Sequence, residues 1–396
     1  MITVQDALQL IEDNKVDLGT ESLALSQSQG RILAENIFAD RPLPPYDRVT
    51  MDGIAINYEG YLKSTNILRI AGIAPAGVPQ TTLSDPQECV EVMTGAVLPI
   101  GADTIIRYED LQIENGFAKV LLEKVVHNKN VHQKGSDVEV NTLLIASNTR
   151  IRPHEIGIAA SVGKHYVSVK KNPKTVIIST GDELVDINQL PAAHQIRRSN
   201  TSTISSLLSQ WNIAADQVHL PDDKNIILSK LESILDNYEL VILTGGVSKG
   251  KFDFIPTAMT ELGVEQLFHK LKQRPGKPLW FGRKSNTVVF GLPGNPVSSF
   301  VCTRKFIFHW LQKSLGSIKA DLLARLISDV TFRPDLHYFL PIHLSTSAEG
   351  VLYAHPNKGN GSGDFVNLKN VNAFMELPRG KEVFKAGEVF PVLLTN

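Results

Sequence analysis

A multidomain α/β fold, with a parallel sheet at its centre and small β-rich regions on either side in sequence, follows from three features of this 396-residue chain. The length exceeds what one ordinary hydrophobic core accommodates. Between about residues 173 and 320, compact apolar runs alternate with helical patterns, as in a parallel sheet covered on both faces. Before and after that stretch, short β-type runs are broken by Gly, Pro and Asp.

Bulk properties narrow the function. Hydrophobic residues make up 42% and charged residues 20%, and the formal net charge is −1. That balance gives no general pull toward nucleic acid or an anionic membrane. The two cysteines, Cys89 and Cys302, support neither a disulfide framework nor a four-thiolate zinc site, and are expected to be reduced thiols. Eleven histidines occur without a His-Glu-x-x-His pattern or a Cys/His quartet, so permanent zinc is not expected. Iron–sulfur and flavin sites have no support either. The N-terminus shows no basic segment followed by an apolar run, and no stretch reaches the roughly 18 apolar residues of a membrane span. A cytoplasmic enzyme acting on a small molecule is the expectation.

In chain order, Thr3 can cap a helix whose Val4, Ala7, Leu8, Leu10 and Ile11 recur at helical spacing. A second short helix is expected at Gly30-Arg31-Ile32-Leu33-Ala34. Pro42, Pro44 and Pro45 then impose a stiff connector. Runs such as Ile67–Gly72, Glu88–Val92 and Lys119–Leu122 describe a small β-rich domain, with a barrel as one arrangement open to it. Strands are expected at Lys174–Ser179, Leu240–Leu243 and Asn286–Phe290, with a helix from Ser199 to Trp211. The last region returns to β at Asp329–Phe332, Gly350–Ala354, Ala373–Leu377 and Val389–Leu393. This divides the chain into residues 1–41 with 138–172 (helical and linking), 42–137 (β-rich), 173–320 (α/β) and 321–396 (β-barrel-like).

Ligands of open α/β sheets bind beyond the carboxyl ends of the strands. Three of the apolar strands end in polar, glycine-bearing loops. The first is Ser179-Thr180-Gly181-Asp182-Glu183, where Glu183 is free to face a ligand if Asp182 turns toward the fold. The second is Thr244-Gly245-Gly246-Val247-Ser248-Lys249-Gly250, followed by Asp253. Gly245 and Gly246 let backbone N–H groups approach a phosphate, while Ser248 adds a hydroxyl and Lys249 a charge. Asp253 can cap the next helix or hold a divalent cation. The third is Gly291-Leu292-Pro293-Gly294-Asn295-Pro296, with Asn295 as a helix cap and Pro296 at the first helical position. An ordinary strand-to-helix turn is the plain alternative for each. Just upstream, Lys270, Lys272, Arg274 and Lys277 place four cations in eight residues, the first three on one face of an extended run.

These elements occur together with Leu43-Pro44-Pro45-Tyr46-Asp47, Met51-Asp52-Gly53-Ile54-Ala55, Met93-Thr94-Gly95-Ala96-Val97-Leu98-Pro99, Gly101-Ala102-Asp103, Gly135-Ser136-Asp137 and Arg274-Pro275-Gly276-Lys277-Pro278. In this order they resemble the molybdopterin molybdotransferase family, which includes MoeA and the C-terminal domain of gephyrin, over essentially the whole chain. The resemblance implies a central MogA-like molybdopterin-binding domain. It implies insertion of molybdenum from molybdate into adenylylated molybdopterin with release of AMP, supported by Mg2+. It also implies a homodimer whose active cleft is shared between subunits, with a molybdopterin adenylyltransferase as partner. Carried over by position, Asp52 and Thr94 line the cleft with Asp137 nearby. Glu183, Asp222, Ser248 and Asp253 lie on the α/β side. Gly245, Gly246, Lys270, Arg274, Lys277, Pro293, Pro296 and Ser362 bind the ligands, and Asp52, Asp222 and Asp253 hold magnesium.

The chain departs from the family pattern in places. His132 stands where an arginine is expected, and Arg197-Arg198-Ser199-Asn200 replaces Tyr-Asp-Thr/Ser-Asn, leaving Asn200 as a helix cap. The arginine of the last domain maps to Arg333. Two competing readings keep parts of this picture. One is a molybdopterin adenylyltransferase or related pyrophosphate-cleaving enzyme on the same fold. The other is a non-catalytic scaffold.

Overall fold

The computed structural model describes residues 1–246, 255–317, 322–357, 359 and 361–395. It comprises two compact units, one of Met1–Glu35, Asn148–Ile156 and Tyr166–Asn396, the other of Asn36–Ser147 and Gly157–His165.

The first unit is built on a six-stranded sheet. Its order is Ala215–Leu220, Thr175–Thr180, Leu240–Thr244, Thr287–Leu292, Trp280–Lys284 and Glu265–His269. The first four strands are parallel. Only Trp280–Lys284 runs the other way, antiparallel to Thr287–Leu292 on one side and to Glu265–His269 on the other, so the sheet is mixed rather than wholly parallel. The cause is local: Ser285 takes a left-handed backbone (φ 53°), which turns Trp280–Lys284 back as a hairpin onto Thr287–Leu292.

Alternation along the strands feeds two cores. Ile177, Ile242 and Phe290 face one side, with Val4, Ala7 and Ile11 of helix Val4–Asp13 and Ile204, Leu207 and Leu208 of helix Ser199–Ser209. Val176, Ile178, Leu243 and Val289 face the other, with Ile227 and Leu231 of helix Lys224–Asn237 and Ala258 and Met259 of helix Ile255–Glu261. Each such fully buried Val, Leu or Ile side chain stabilises the fold by about 1.5–3 kcal/mol. Thr3 and Asp6 form the capping box that starts the first helix.

The C-terminal strands close on themselves. His337–Thr346, Leu352–Pro356, Leu322–Leu326, Val389–Leu394 and Ala373–Leu377 pair in that order, and the last pairs again with the first. Ala324, Leu340, Ile342, Met375 and Leu377 fill this barrel. Strand Gln273–Arg274 from the α/β region adds to it in parallel, with Gln273 opposite His337 and Arg274 opposite Tyr338.

In the second unit, six strands form a sheet in the order Thr104–Arg107, Gly53–Ile56, Glu88–Val92, Ile67–Ala74, Phe117–Val120 and Leu111–Glu114. The end strands do not pair with each other, so this is an open sheet and not a barrel. Both faces are covered. Ala55, Val90 and Ile105 lie in one apolar cluster, and their neighbours Ile54, Cys89 and Ile106 in the other. Residues 36–41 and 138–147 group with this unit, where Ile37–Phe38 pairs with Leu143–Ile145.

The expected helix at Gly30–Ala34 is absent. Gly30 has φ 79°, and Ile32 and Leu33 bridge to Arg150 and Val169. Backbone pairing with distant segments outweighs the weak local helical preference there.

Candidate active site

The three loops singled out by sequence follow three adjacent parallel strands, Thr175–Thr180, Leu240–Thr244 and Thr287–Leu292, and so emerge at one edge of the sheet. Together they line a cavity of about 640 Å³. Ser179, Thr180 and Glu183 come from the first loop, Thr244, Gly245 and Gly246 from the second, and Pro293 to Pro296 from the third. Ser248 and Asp253 lie outside the described residues, as does Lys249.

Glycine is required at the second loop. Gly245 and Gly246 take φ of 93° and 65°, and a Cβ on Gly246 would stand 2.7 Å from Thr180 Oγ1. That hydroxyl is buried and has no hydrogen-bond partner among the described residues. The loops are tied together by Asn200. Its carboxamide donates to Thr244 Oγ1 at 2.9 Å and to the Gly294 carbonyl at 2.8 Å. Asn200 is therefore not the helix cap expected from sequence. Arg198 occupies the cap position, and Asn200 sits inside the first turn. Asn295 does occupy its cap position but makes no capping bond; its Nδ2 donates to Ser362 Oγ at 3.0 Å. Ser362 also accepts from the Val297 N–H, 3.1 Å from its carbonyl oxygen. Pro296 stands at the helix start.

The acidic groups of the first loop separate. Asp182 Oδ1 accepts the backbone N–H of Asp222 at 3.2 Å, while Glu183 lines the cavity. A short arm completes the wall. Leu184–Val185 pairs in parallel with Ile196–Arg197, and Leu184, Ile196, Arg197 and Arg198 line the same space.

A second cavity, of about 560 Å³, adjoins the first and shares Pro278, Pro293, Asn295 and Gly363 with it. Arg274 and Lys277 line it on one side, and Tyr338, Ser362 and Asp364 on the other. The turn Pro275-Gly276-Lys277 hides its carbonyl oxygens from this space. Gln273 Nε2 donates to those of Pro275 and Gly276, each at 3.1 Å, and the Leu271 N–H donates to that of Lys277 at 2.8 Å. The negative dipole ends of the turn are thus engaged by donors, and the charged side chains on the cavity are the cations Arg274 and Lys277 and the single carboxylate Asp364. Lys270 is not on this wall. Its φ of 73° breaks the extended run, so it does not share a face with Lys272 and Arg274. Arg333 is exposed and lines neither cavity.

In the second unit, Asp52 and Thr94 meet. Asp52 precedes Gly53–Ile56 and Thr94 follows Glu88–Val92, an antiparallel pair in which Gly53 stands opposite Val92. Thr94 donates its backbone N–H and its hydroxyl to Asp52 Oδ1, at 2.6 and 2.8 Å. These two bonds, the backbone one first, hold the exposed carboxyl below the ordinary aspartate range. Gly53 is dictated by packing, because a Cβ there would lie 1.9 Å from the Ile106 carbonyl oxygen. Asp137 belongs to a separate chain in which His132 Nε2 lies 2.8 Å from Asp137 Oδ1 and His132 Nδ1 lies 3.0 Å from Arg48 Nη2.

Among the described residues, no group of three or more His, Cys, Asp or Glu side chains is placed to hold a metal ion. Sequence reasoning missed Asn200 as a tie, Arg197 and Arg198 as wall residues, and Gln273 as the support of the cation loop. No local signal marks Asn200 as a tie, because its partners lie 44 and 94 residues away in sequence.

The fold and these cavities define a multidomain enzyme of the α/β class, with a glycine-loop cavity at one sheet edge and a C-terminal barrel. Sequence comparison agrees region by region. Residues 2–163 match the MoeA N-terminal region (domain I and II), residues 176–313 a probable molybdopterin binding domain, and residues 324–395 the MoeA C-terminal region (domain IV). The molybdopterin molybdenumtransferase of Synechocystis sp. is 39% identical over 395 residues, 99% of each chain. That of Staphylococcus aureus is 28% identical over 404 residues, spanning 100% of this chain and 96% of its own. The crystal structure of the molybdopterin biosynthesis MoeA protein from Pyrococcus horikoshii superposes with a TM-score of 0.82 at 27% identity, covering 100% of both chains. The chain belongs to the molybdopterin molybdenumtransferase family.

Proposed function

We propose that this enzyme takes adenylylated molybdopterin and molybdate, places molybdenum on the dithiolene and releases AMP, in molybdenum cofactor biosynthesis. The observation that carries the site assignment is the pair of adjoining cavities at one sheet edge. The first, floored by Gly245 and Gly246 and walled by Glu183, suits the pterin phosphate and its nucleotide. The second, with Arg274 and Lys277 exposed and the turn carbonyls hidden, suits the molybdate oxyanion. The shared wall at Pro278, Pro293 and Asn295 brings the two substrates side by side, which is the proximity that the transfer needs.

The remaining groups are assigned by chemistry. Cleavage of a phosphoanhydride needs charge stabilisation and a positioned nucleophile. Asp52, held ionised by Thr94, suits orientation of the attacking water or of a cation. In this reading the enzyme is a cytoplasmic homodimer, Asp52 and Thr94 of one subunit complete the cavity of the other, and a molybdopterin adenylyltransferase supplies the substrate. Among the described residues, no helix is long and apolar enough to cross a membrane.

Magnesium fits the residues in a limited way. It is commonly held by one or two carboxylates together with substrate phosphates, and no protein-only cage is needed. Asp52 and Asp222 are carboxylates suited to that task, with Asp253 outside the described residues. When bound, the ion neutralises phosphate charge.

The test is direct. Purified enzyme given adenylylated molybdopterin, molybdate and Mg2+ should release AMP and yield cofactor that activates an apo-enzyme. Absence of AMP release would sink the reading. Consumption of ATP with bare molybdopterin would instead support the adenylyltransferase alternative, which the full-length relatives do not favour.

A further inference from the structure

The arm that closes the first cavity brings two guanidinium groups to its wall, and they are not equivalent. Arg198 forms an ion pair with Asp186, so its charge is answered within the arm. Arg197 donates its Nε–H to a neutral acceptor, the Gln189 carbonyl, at 3.1 Å. Among the described residues, no other hydrogen bond or ion pair engages that guanidinium. Anchoring through Nε fixes the plane of the group. It leaves the two terminal nitrogens as a fork that matches two oxygens of one phosphate.

The rest of the wall gives this fork a purpose. The other described lining residues supply hydroxyls, the Asn200 and Asn295 carboxamides, glycine backbone, proline rings and the apolar Leu184 and Ile196, with Glu183 as the single carboxylate. Glu183 makes no ion pair with either arginine. A ligand carrying a phosphoanhydride would therefore meet one wall carboxylate and, among the described residues, one unanswered cation.

We propose that Arg197 recognises the phosphate of the nucleotide-bearing ligand and sets the cavity's preference for that ligand over its phosphate-free counterpart. This rests on the reading of the first cavity given above. Arg197 is a specificity residue here, distinct from Asp52, Glu183 and the cations of the second cavity.

The test uses the full-length protein, with AMP and adenosine as probes in calorimetric titrations of the unmodified chain, Arg197→Gln and Arg197→Lys. The Gln variant keeps a donor for the Gln189 carbonyl while losing charge and fork. It should weaken AMP about tenfold to hundredfold and leave adenosine unchanged. The Lys variant should retain part of the AMP affinity, as a point charge without the fork. Added salt should weaken AMP more in the unmodified chain than in Arg197→Gln. AMP affinity unchanged in Arg197→Gln would overturn the inference while leaving the cavity's assignment intact. Equal losses for AMP and adenosine would also overturn it, since the arginine would then act through the shape of the arm. Failure of the unmodified chain to bind AMP would overturn the assignment of the cavity, and this inference with it.

Discussion

Thr94 donates two hydrogen bonds, one from its backbone and one from its hydroxyl, to a single carboxylate oxygen of Asp52. The backbone bond is fixed by the pairing of the two flanking strands, whereas the hydroxyl bond depends on side-chain identity. Replacing Thr94 by Val should therefore raise the Asp52 pKa part of the way back to its ordinary value of 3.8, measurable by carboxyl NMR titration. The sign follows from linkage. A depressed folded-state pKa stabilises above the unfolded value, and that contribution is lost as pH falls through the folded one. A pKa unmoved in Thr94→Val would mean that the hydroxyl bond is not made in solution.

Asp52→Asn should abolish most turnover with little change in melting temperature, because the side chain is exposed and its loss opens no cavity. Steady-state AMP release and a thermal melt on the same preparation check both halves. A collapsed melt would assign Asp52 to the turn alone.

Asn200 reaches two loops with one amide. Asn200→Ala should cost about 1–3 kcal/mol of stability by denaturant titration and should lower turnover more than tenfold as the loops lose their common anchor. Full activity in that variant would show that the loops hold their places without it.

Gly276 has φ 88°, and a Cβ there would lie 2.5 Å from Cys302 Sγ and 2.6 Å from Gln273 Nε2. Gly276→Ala should displace the turn and raise KM for molybdate at least several-fold, with a stability loss of about 1–3 kcal/mol. An unchanged molybdate KM would argue against the second cavity as the oxyanion site.

Lys305 Nζ lies 2.7 Å from both carboxylate oxygens of Glu376, and His337 Nε2 lies 3.5 Å from one of them. Burial pushes the Glu376 carboxyl up, but the nearby His337 ring and the charge and hydrogen bonds of Lys305 outweigh it and leave it below its ordinary 4.5. The pair should stabilise the protein at neutral pH and weaken as pH falls below 4.5. Lys305→Met should cost on the order of 3 kcal/mol at pH 7, with a smaller penalty at pH 4. Equal penalties at both pH values would contradict the charge pairing.

The fold was legible where one force dominated. The runs around Ile177, Ile242 and Val289 read as strands because both faces of that sheet are buried. The three loops read as one edge because they follow such runs. Long-range pairing was not legible. Nothing local at Gly30–Ala34 announces bridges to Arg150 and Val169, and the left-handed Lys270 has no glycine to mark it. Asn200 and Asn295 were placed at helix starts, but their side chains serve partners 44 to 94 residues away, which spacing rules do not see. Asp52 and Thr94 came from family resemblance, since periodicity offers no reason to join residues 42 positions apart.

The strand Gln273–Arg274 is hydrogen-bonded into the sheet of the C-terminal barrel, and Phe339 and Phe374 of that barrel pack into the α/β core. These two regions are therefore poor candidates for independent exchange. A chimera that joined this α/β region to a foreign barrel would have to reproduce two aromatic plugs and one strand register before its cation loop could take shape. The two regions therefore share one packing unit, and a volume change on either side of the seam is felt by the other.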